Sequence, residues 1–512
     1  MQGWSKRWEV LAVGMAGFAA AIASVPAAAQ PAMLDAATVE EYIAFLSLPN
    51  DAANPADALA NAHFVQAMMQ RRGIASELLY DIDRKAPPAV FGEVKTPGAT
   101  KTIVFYAHYD GQPVVPERWA PGLSPFGPVA ISRPIEQGGA VLGPWTPEAR
   151  FPAGWRLAAR SAADDKAGVM VALNAFRDPA GTAARLGVNV KFFFEGEEEK
   201  GSPNLRAILH AHSEKLESDL WVMVDGPRHT AGYRAMVLGV RGVVDVGITV
   251  YGANRPLHAG NYGNWAPNPA LRLAALLGSL KDADGRILIP GFYDDAVPAT
   301  AAELVEIAKA PSMDATRQSL GIARTQGGGR LHGELVLLPG IEITGLRAGA
   351  TDAKAANVIP TEAEARLDMR LVKGDRIDRQ LARLVRFIEG QGYHVLDRAP
   401  TAAERLAHPL IARVVSGFGY EAQRTSLDEP MVTRVKQLLE SVSPDRLVVV
   451  PSTGGSLPLS LFAGELGAPM VTIPVVNADN NQHGENENVD PAFLAEGITN
   501  IRAIMEDDFS DR

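Results

Sequence analysis

One stretch constrains this chain more than any other. Val188, Val190, Phe192, Phe193 and Phe194 form an apolar run that passes straight into Glu195, Gly196, Glu197, Glu198, Glu199, Lys200, Gly201 and Ser202. β-Branched and aromatic residues without helical spacing read as a short buried strand. In an open α/β sheet, ligand-binding groups sit beyond the carboxyl ends of strands, so the acidic block is placed for chemistry. Clustered glutamates repel one another unless a cation joins them. The competing reading is a solvated loop or first helical turn, the usual fate of a charge run.

Two further apolar strands end in similar residues. The run 102–106 leads to His108, Tyr109 and Asp110, and 220–224 leads to Asp225. Alternation puts His108 and Asp110 on one side of an extended chain, where the carboxylate can fix the tautomer of a ligating imidazole. Asp164 and Asp165 precede an apolar helical run at 169–176, which Ser161 or Asp164 could simply cap, but two adjacent aspartates exceed what a cap needs. Ligand-type residues repeated at strand ends favour a functional site. With no cysteine in the chain, any metal must be held by His, Asp and Glu.

At 512 residues the chain is too long for one ordinary core, so two domains are expected. The net charge of -10 is spread without a Lys/Arg block, which argues against nucleic acid or an anionic membrane as partner. The start differs in character. Lys6 and Arg7 precede an apolar segment at 10–25, and Ala27, Ala28 and Ala29 offer a cleavage site before Gln30. This predicts a signal peptide over 1–29 and an exported, periplasmic or secreted protein.

The remaining pattern predicts helices within 34–72 and at 205–216, 271–280 and 377–390, and strands at 74–80, 89–94, 243–251, 335–338 and 363–372. The Pro- and Gly-rich span 111–155 is expected to pack over a cleft edge without a core of its own. The fold class is α/β, with a mostly parallel sheet flanked by helices; after Asp225 the elements lose the alternation of a parallel sheet and suit an α+β layer.

These motifs together resemble the M20 family of zinc metallopeptidases. The resemblance is carried by His108-Tyr109-Asp110 with Gln112 and Pro113, Asp164-Asp165-Lys166, the 195–202 block, Asp225, Pro256 to Gly260, Asn357 to Pro360, Arg370, Gly454-Gly455-Ser456 and His483 to Glu487. It implies two zinc ions bridged by Asp164, one also taking His108 and Asp225 and the other Glu199 and His483, with cobalt or manganese as possible substitutes. It further implies Glu198 as general base, with Glu197 as the one-residue alternative, and Asp110 as the partner that orients His108. An inserted lid and dimerisation domain is implied over 238–403, with the catalytic domain in two parts, 30–237 and 404–512. His258 would reach the partner subunit's site in a homodimer and stabilise the oxyanion; Arg370, Asn357, Gly455 and Ser456 would bind the substrate, Arg370 taking its carboxylate unless it is only an ion-paired sheet residue.

Ala159, Arg160 and Ser161 stand where Gly, Arg and Gly are usual in that family, and the stretch between Phe126 and Arg160 is longer than in most relatives. The expected activity is hydrolysis of dipeptides or of the last bond of short peptides with a free carboxylate. Hydrolysis of N-acyl amino acids on the same site is the alternative, and a non-catalytic periplasmic binding protein is the reading from another class.

Overall fold

The computed structural model describes residues 34–510 apart from Lys85, Ala180, Thr182, Ser456 and Leu457. The leader expected at 1–29 and the substrate residue expected at Ser456 therefore lie outside the described residues. No described helix is long and apolar enough to cross a membrane.

A sheet of eight strands runs in the order Ser76–Leu79, Ala89–Val94, Asn189–Glu195, Thr102–His108, Leu220–Met223, Met470–Thr472, Arg234–Val237 and Leu447–Val450. Its four middle strands, from Asn189–Glu195 to Met470–Thr472, are mutually parallel, so three of the predicted strand ends open on one edge. Their continuous apolarity follows from burial on both faces. Phe105, Phe192 and Phe194 enter one core with the helix Lys166–Phe176, while Tyr106, Phe193 and Trp221 enter another with Phe462. Phe193 meets Trp221 with ring centroids 5.7 Å apart. Each buried ring stabilises the fold by about 2–3 kcal/mol.

The helix Lys166–Phe176 is buried on every side. Asp165 is its cap, its side chain accepting from Gly168 N at 3.0 Å, so neither Ser161 nor Asp164 serves that end. Lys166, also buried, donates its Nζ to Phe45 O at 2.7 Å and Leu48 O at 2.9 Å, tying down the carboxyl end of the helix Ala36–Leu46. The next helix, Pro55–Arg71, starts from an Asn54 cap with proline at its first position.

The second sheet has five strands in the order Gly340–Arg347, Glu362–Leu371, Gly242–Tyr251, Ile411–Tyr420 and His394–Leu396. Val244, Val246, Ile248 and Val250 alternate inward, under Leu273, Leu276 and Leu277 of Pro269–Gly278 and Leu384 and Ile388 of Ile377–Gly390. Helices thus cover one face, as the pattern predicts. The return to the large sheet expected at 404 comes later, because Ile411–Tyr420 pairs with Gly242–Tyr251 along the second sheet.

One other expectation changes. The strand predicted at 335–338 is the end of a helix, His332–Val336, because Glu334 accepts from Leu331 N at 2.7 Å and starts a helical turn. A four-residue apolar run cannot by itself distinguish the two. The span 111–155 contributes strands Val129–Ile131 and Val141–Gly143 to a small sheet that also holds Arg156–Ala158 and Asn488–Val489. It has no separate core, since Ala130 and Trp155 join the main one.

Candidate active site

The parallel strands deliver His108 and the Glu195 turn side by side, Asp225 follows two residues after Leu220–Met223, and Asp164 stands just before its helix. Asp164 is the meeting point. Its Oδ1 lies 3.1 Å from His108 Nε2 and its Oδ2 lies 3.0 Å from His483 Nε2. Glu199 Oε2 is 3.3 Å from the same His483 nitrogen. Two sets of ligand atoms result, His108 with Asp164 and Asp225, and Asp164 with Glu199 and His483, each within 4.8 Å of one another. All five residues singled out as ligands come together.

The neighbours fix this arrangement. Asp110 Oδ1 lies 3.3 Å from His108 Nδ1, and the same carboxylate accepts from Glu198 N at 3.1 Å and Glu199 N at 3.0 Å. One side chain therefore orients the imidazole and the acidic turn together. Asp165 Oδ2 accepts from His108 N at 3.2 Å. Gln112 donates to Glu199 Oε2 at 2.8 Å.

Glu487 holds the Asp164 loop. Fully buried, it accepts from Arg160 Nη1 at 2.6 Å, Ser161 N at 3.0 Å, Ala163 N at 2.8 Å and Asp164 N at 3.0 Å. Sequence reasoning gave no role to Gln112 or Glu487. The signal available for Glu487 was an acid four residues after His483 in a polar loop, with Arg160 as its distant counterion.

Glu198 and Glu197 part company in the structure. Glu198 Oε2 faces the cluster at 3.9 Å from His108 Nε2. Glu197 turns away, accepting from Asn204 N at 2.7 Å and Asn204 Nδ2 at 3.1 Å. Burial pushes the Glu198 carboxyl well above its ordinary range; His108 opposes this, and Asp225, Asp164 and Glu199 add to it. Burial and then Asp164 push Glu199 up to about 8 and Asp225 up to about 6. For Asp164 burial acts upward too, but hydrogen bonds from His108 and His483 hold it below the usual carboxylate range.

The donor set fits zinc. It consists of imidazole nitrogens and carboxylate oxygens, each triad leaves a position open, and the crowded acids lack sufficient positive charge from the protein.

The residues assigned to substrate come from other elements. His258 is exposed on a two-stranded ribbon, Leu257–His258 against Val358–Ile359, beside Asn357, whose carbonyl accepts from Ala259 N at 2.8 Å. Among the described residues no hydrogen bond or ion pair joins His258 or Asn357 to the cluster. Arg370 pairs through Nε and Nη2 with Asp368 at 2.6 and 2.8 Å, and its Nη1 donates to Gly454 O at 3.3 Å. It thus links the second sheet to the glycine loop, where Gly454 and Gly455 are exposed.

Two histidine and carboxylate triads joined by one aspartate, with a further, largely buried glutamate facing them at the carboxyl edge of a parallel sheet, define a metal-dependent hydrolase. The family described as Peptidase family M20/M25/M40 matches residues 104–507. The chain belongs to this family and is a peptidase. It is 24% identical over 423 residues to the beta-Ala-His dipeptidase of Homo sapiens, covering 80% of this chain and 75% of that protein. It is 24% identical over 439 residues to the Cys-Gly metallodipeptidase dug1 of Schizosaccharomyces pombe, covering 84% and 85%. Among solved structures, the M20 family metallo-carboxypeptidase Sso-CP2 from Sulfolobus solfataricus superposes with a TM-score of 0.70 at 25% identity, over 92% of this chain and 98% of that one.

Proposed function

We propose that this chain is an exported di-zinc exopeptidase that hydrolyses dipeptides, or the last bond of short peptides with a free carboxylate. The observation that carries the reading is the double use of Asp164, one carboxylate oxygen toward each triad. His108, Asp164 and Asp225 would hold one cation, and Asp164, Glu199 and His483 the other; cobalt or manganese suits the same donors. When bound, zinc supplies Lewis acidity that polarises the scissile carbonyl and acidifies water.

Glu198 is the general base. Its carboxylate takes the proton from the attacking water and delivers it to the departing amine nitrogen. Asp110 keeps His108 and the Glu198 turn in register. Arg370, with Asn357, Gly455 and Ser456, recognises the substrate carboxylate. Because Asp368 engages the Nε and Nη2 edge of Arg370 and Gly454 O accepts from Nη1, that carboxylate would have to displace one of these partners. The similarity to dipeptidases from Homo sapiens and Schizosaccharomyces pombe supports dipeptides as substrates.

His258 completes the partner subunit's site in a homodimer, a reading supported by its exposure and by the absence, among the described residues, of a hydrogen bond or ion pair to its own chain's cluster. Chains carrying His258→Ala, mixed and reassociated with chains carrying Glu198→Gln, should regain activity that neither variant shows alone. A mixture as inactive as its components argues that His258 does not act across the interface.

The function is tested by offering the mature protein, with zinc or with a chelator, equal amounts of dipeptides, tripeptides, dipeptide amides and N-acyl amino acids. Zinc-dependent loss of dipeptides, with the amides spared, is expected. Cleavage of acyl substrates alone would move the protein to the amidohydrolase reading, and equal cleavage of amides would remove the carboxylate grip. Export is supported by the Lys6-Arg7 start, the apolar 10–25 segment and the Ala27 to Ala29 site. The mature chain should begin at Gln30; a chain retaining Met1 in the cell interior contradicts export.

A further inference from the structure

His483 differs from the other candidate ligands in what holds it. His108 sits at a strand end and Glu199 in a turn gripped by Asp110, with side chains 1% and 4% exposed, whereas the His483 side chain is 54% exposed. It comes from an irregular loop that regains regular structure only at Asn488–Val489. The backbone there is unusual. Asn481, His483 and Asn486 have φ of +57°, +63° and +62°, a left-handed conformation uncommon outside glycine and costly for any of these residues, though asparagine and histidine adopt it more often than most. Such a loop keeps its shape only if other contacts over-determine it.

Some of those contacts are internal. Asn480 Oδ1 accepts from Gln482 N at 2.8 Å, and Asn488 donates to Asn486 O at 3.0 Å. Ala120 N also donates to Asn486 Oδ1 at 2.8 Å, and Arg118 lies 3.7 Å from Glu485. Further contacts come from the 127–159 span, which the expected chemistry leaves without a purpose. In the turn Ile135–Gln137, Glu136 Oε1 accepts from Asn486 Nδ2 at 2.9 Å and from Asn481 Nδ2 at 3.4 Å. It therefore touches residues on both sides of His483. Next to it, Gln137 Nε2 donates to Asp479 at 3.3 Å, and Arg156 donates to the same carboxylate at 2.7 and 3.1 Å. The small sheet carries Val129–Ile131, Val141–Gly143, Arg156–Ala158 and also Asn488–Val489, so strap and loop are registered on one scaffold.

We propose that the Glu136 turn is a strap that sets His483 in place, making Glu136 a positioning residue for one of the two metal sites. The proposal rests on the reading of His483 as a ligand. Glu136 acts through Asn481 and Asn486, whose side-chain amides both donate to its Oε1. Loss of such a supporting group should loosen the His483 site and leave the site of His108 and Asp225 unaffected.

The test is a zinc titration of the full chain against a competing chelator, paired with the ligand-field spectrum of the cobalt-loaded protein. It compares the unaltered protein with Glu136→Ala, Glu136→Gln and His483→Ala. Glu136→Ala should weaken one cation about tenfold, keep the other, and change the cobalt band of the weakened site. Glu136→Gln retains the accepting oxygen and should restore affinity to within about twofold, a rescue that a general loss of structure would not show. His483→Ala should lose the same cation.

If Glu136→Ala titrates like the unaltered protein while His483→Ala is weakened, the strap is overturned and the ligand reading stands. Equal weakening of both cations in Glu136→Ala overturns it as well, as general destabilisation. Unchanged titration of His483→Ala removes the ligand reading and the strap together.

Discussion

Replacing Glu198 by Gln should lower kcat by about a thousandfold or more while both cations stay bound, the effect expected for loss of a central acid and base group. Glutamine keeps the volume of the side chain, and the backbone donations of Glu198 and Glu199 to Asp110 are untouched. What is lost is the ability to take a proton. Glu198 belongs to neither triad, so metal content measured by elemental analysis should be unchanged. A thousandfold loss corresponds to about 4 kcal/mol of transition-state stabilisation, more than a change in packing at so small a volume difference would supply. The variant should also be the more stable of the two without metal, because one buried acid has left a crowded group. Normal turnover would move the base elsewhere, and Glu197 is poorly placed for it with both oxygens bonded to Asn204.

Asp164→Ala should have the other large effect, for a different reason. Each of its carboxylate oxygens approaches a different histidine, at 3.1 and 3.0 Å, so one substitution removes a ligand from both triads. The expected result is fewer than two cations per chain and a fall in kcat/KM of at least about a thousandfold. Asp225→Ala serves as the contrast, since it belongs to the His108 triad alone and should spare the other cation. A variant lacking Asp164 that still bound two cations with full affinity would show that Asp164 is not shared.

The site was largely legible because its chemistry is attached to periodic elements. His108, Glu198, Glu199 and Asp225 follow apolar runs whose short length and β-branched and aromatic content mark them as buried strands. The helix Ile377–Gly390 was equally plain, its apolar residues falling on one face. What the sequence concealed were distant pairings. Nothing in the local pattern says that Glu487 accepts from the loop of Asp164, or that Glu136 bonds Asn481 and Asn486 across roughly two-thirds of the chain. The same holds for the end of the second sheet. The segment Ile411–Tyr420 has a strand's composition, but which sheet it joins depends on its pairing with Gly242–Tyr251. The 335–338 run failed for the opposite reason, since a local cap at Glu334 outweighed a short apolar pattern.

The central claim is that two cations share Asp164. It is tested most directly by an anomalous difference map from crystals of the zinc-loaded protein, recorded at the zinc absorption edge. Two peaks should flank Asp164, one among His108, Asp164 and Asp225 and the other among Asp164, Glu199 and His483. A single peak, or peaks whose nearest ligands exclude Asp164, would contradict the account.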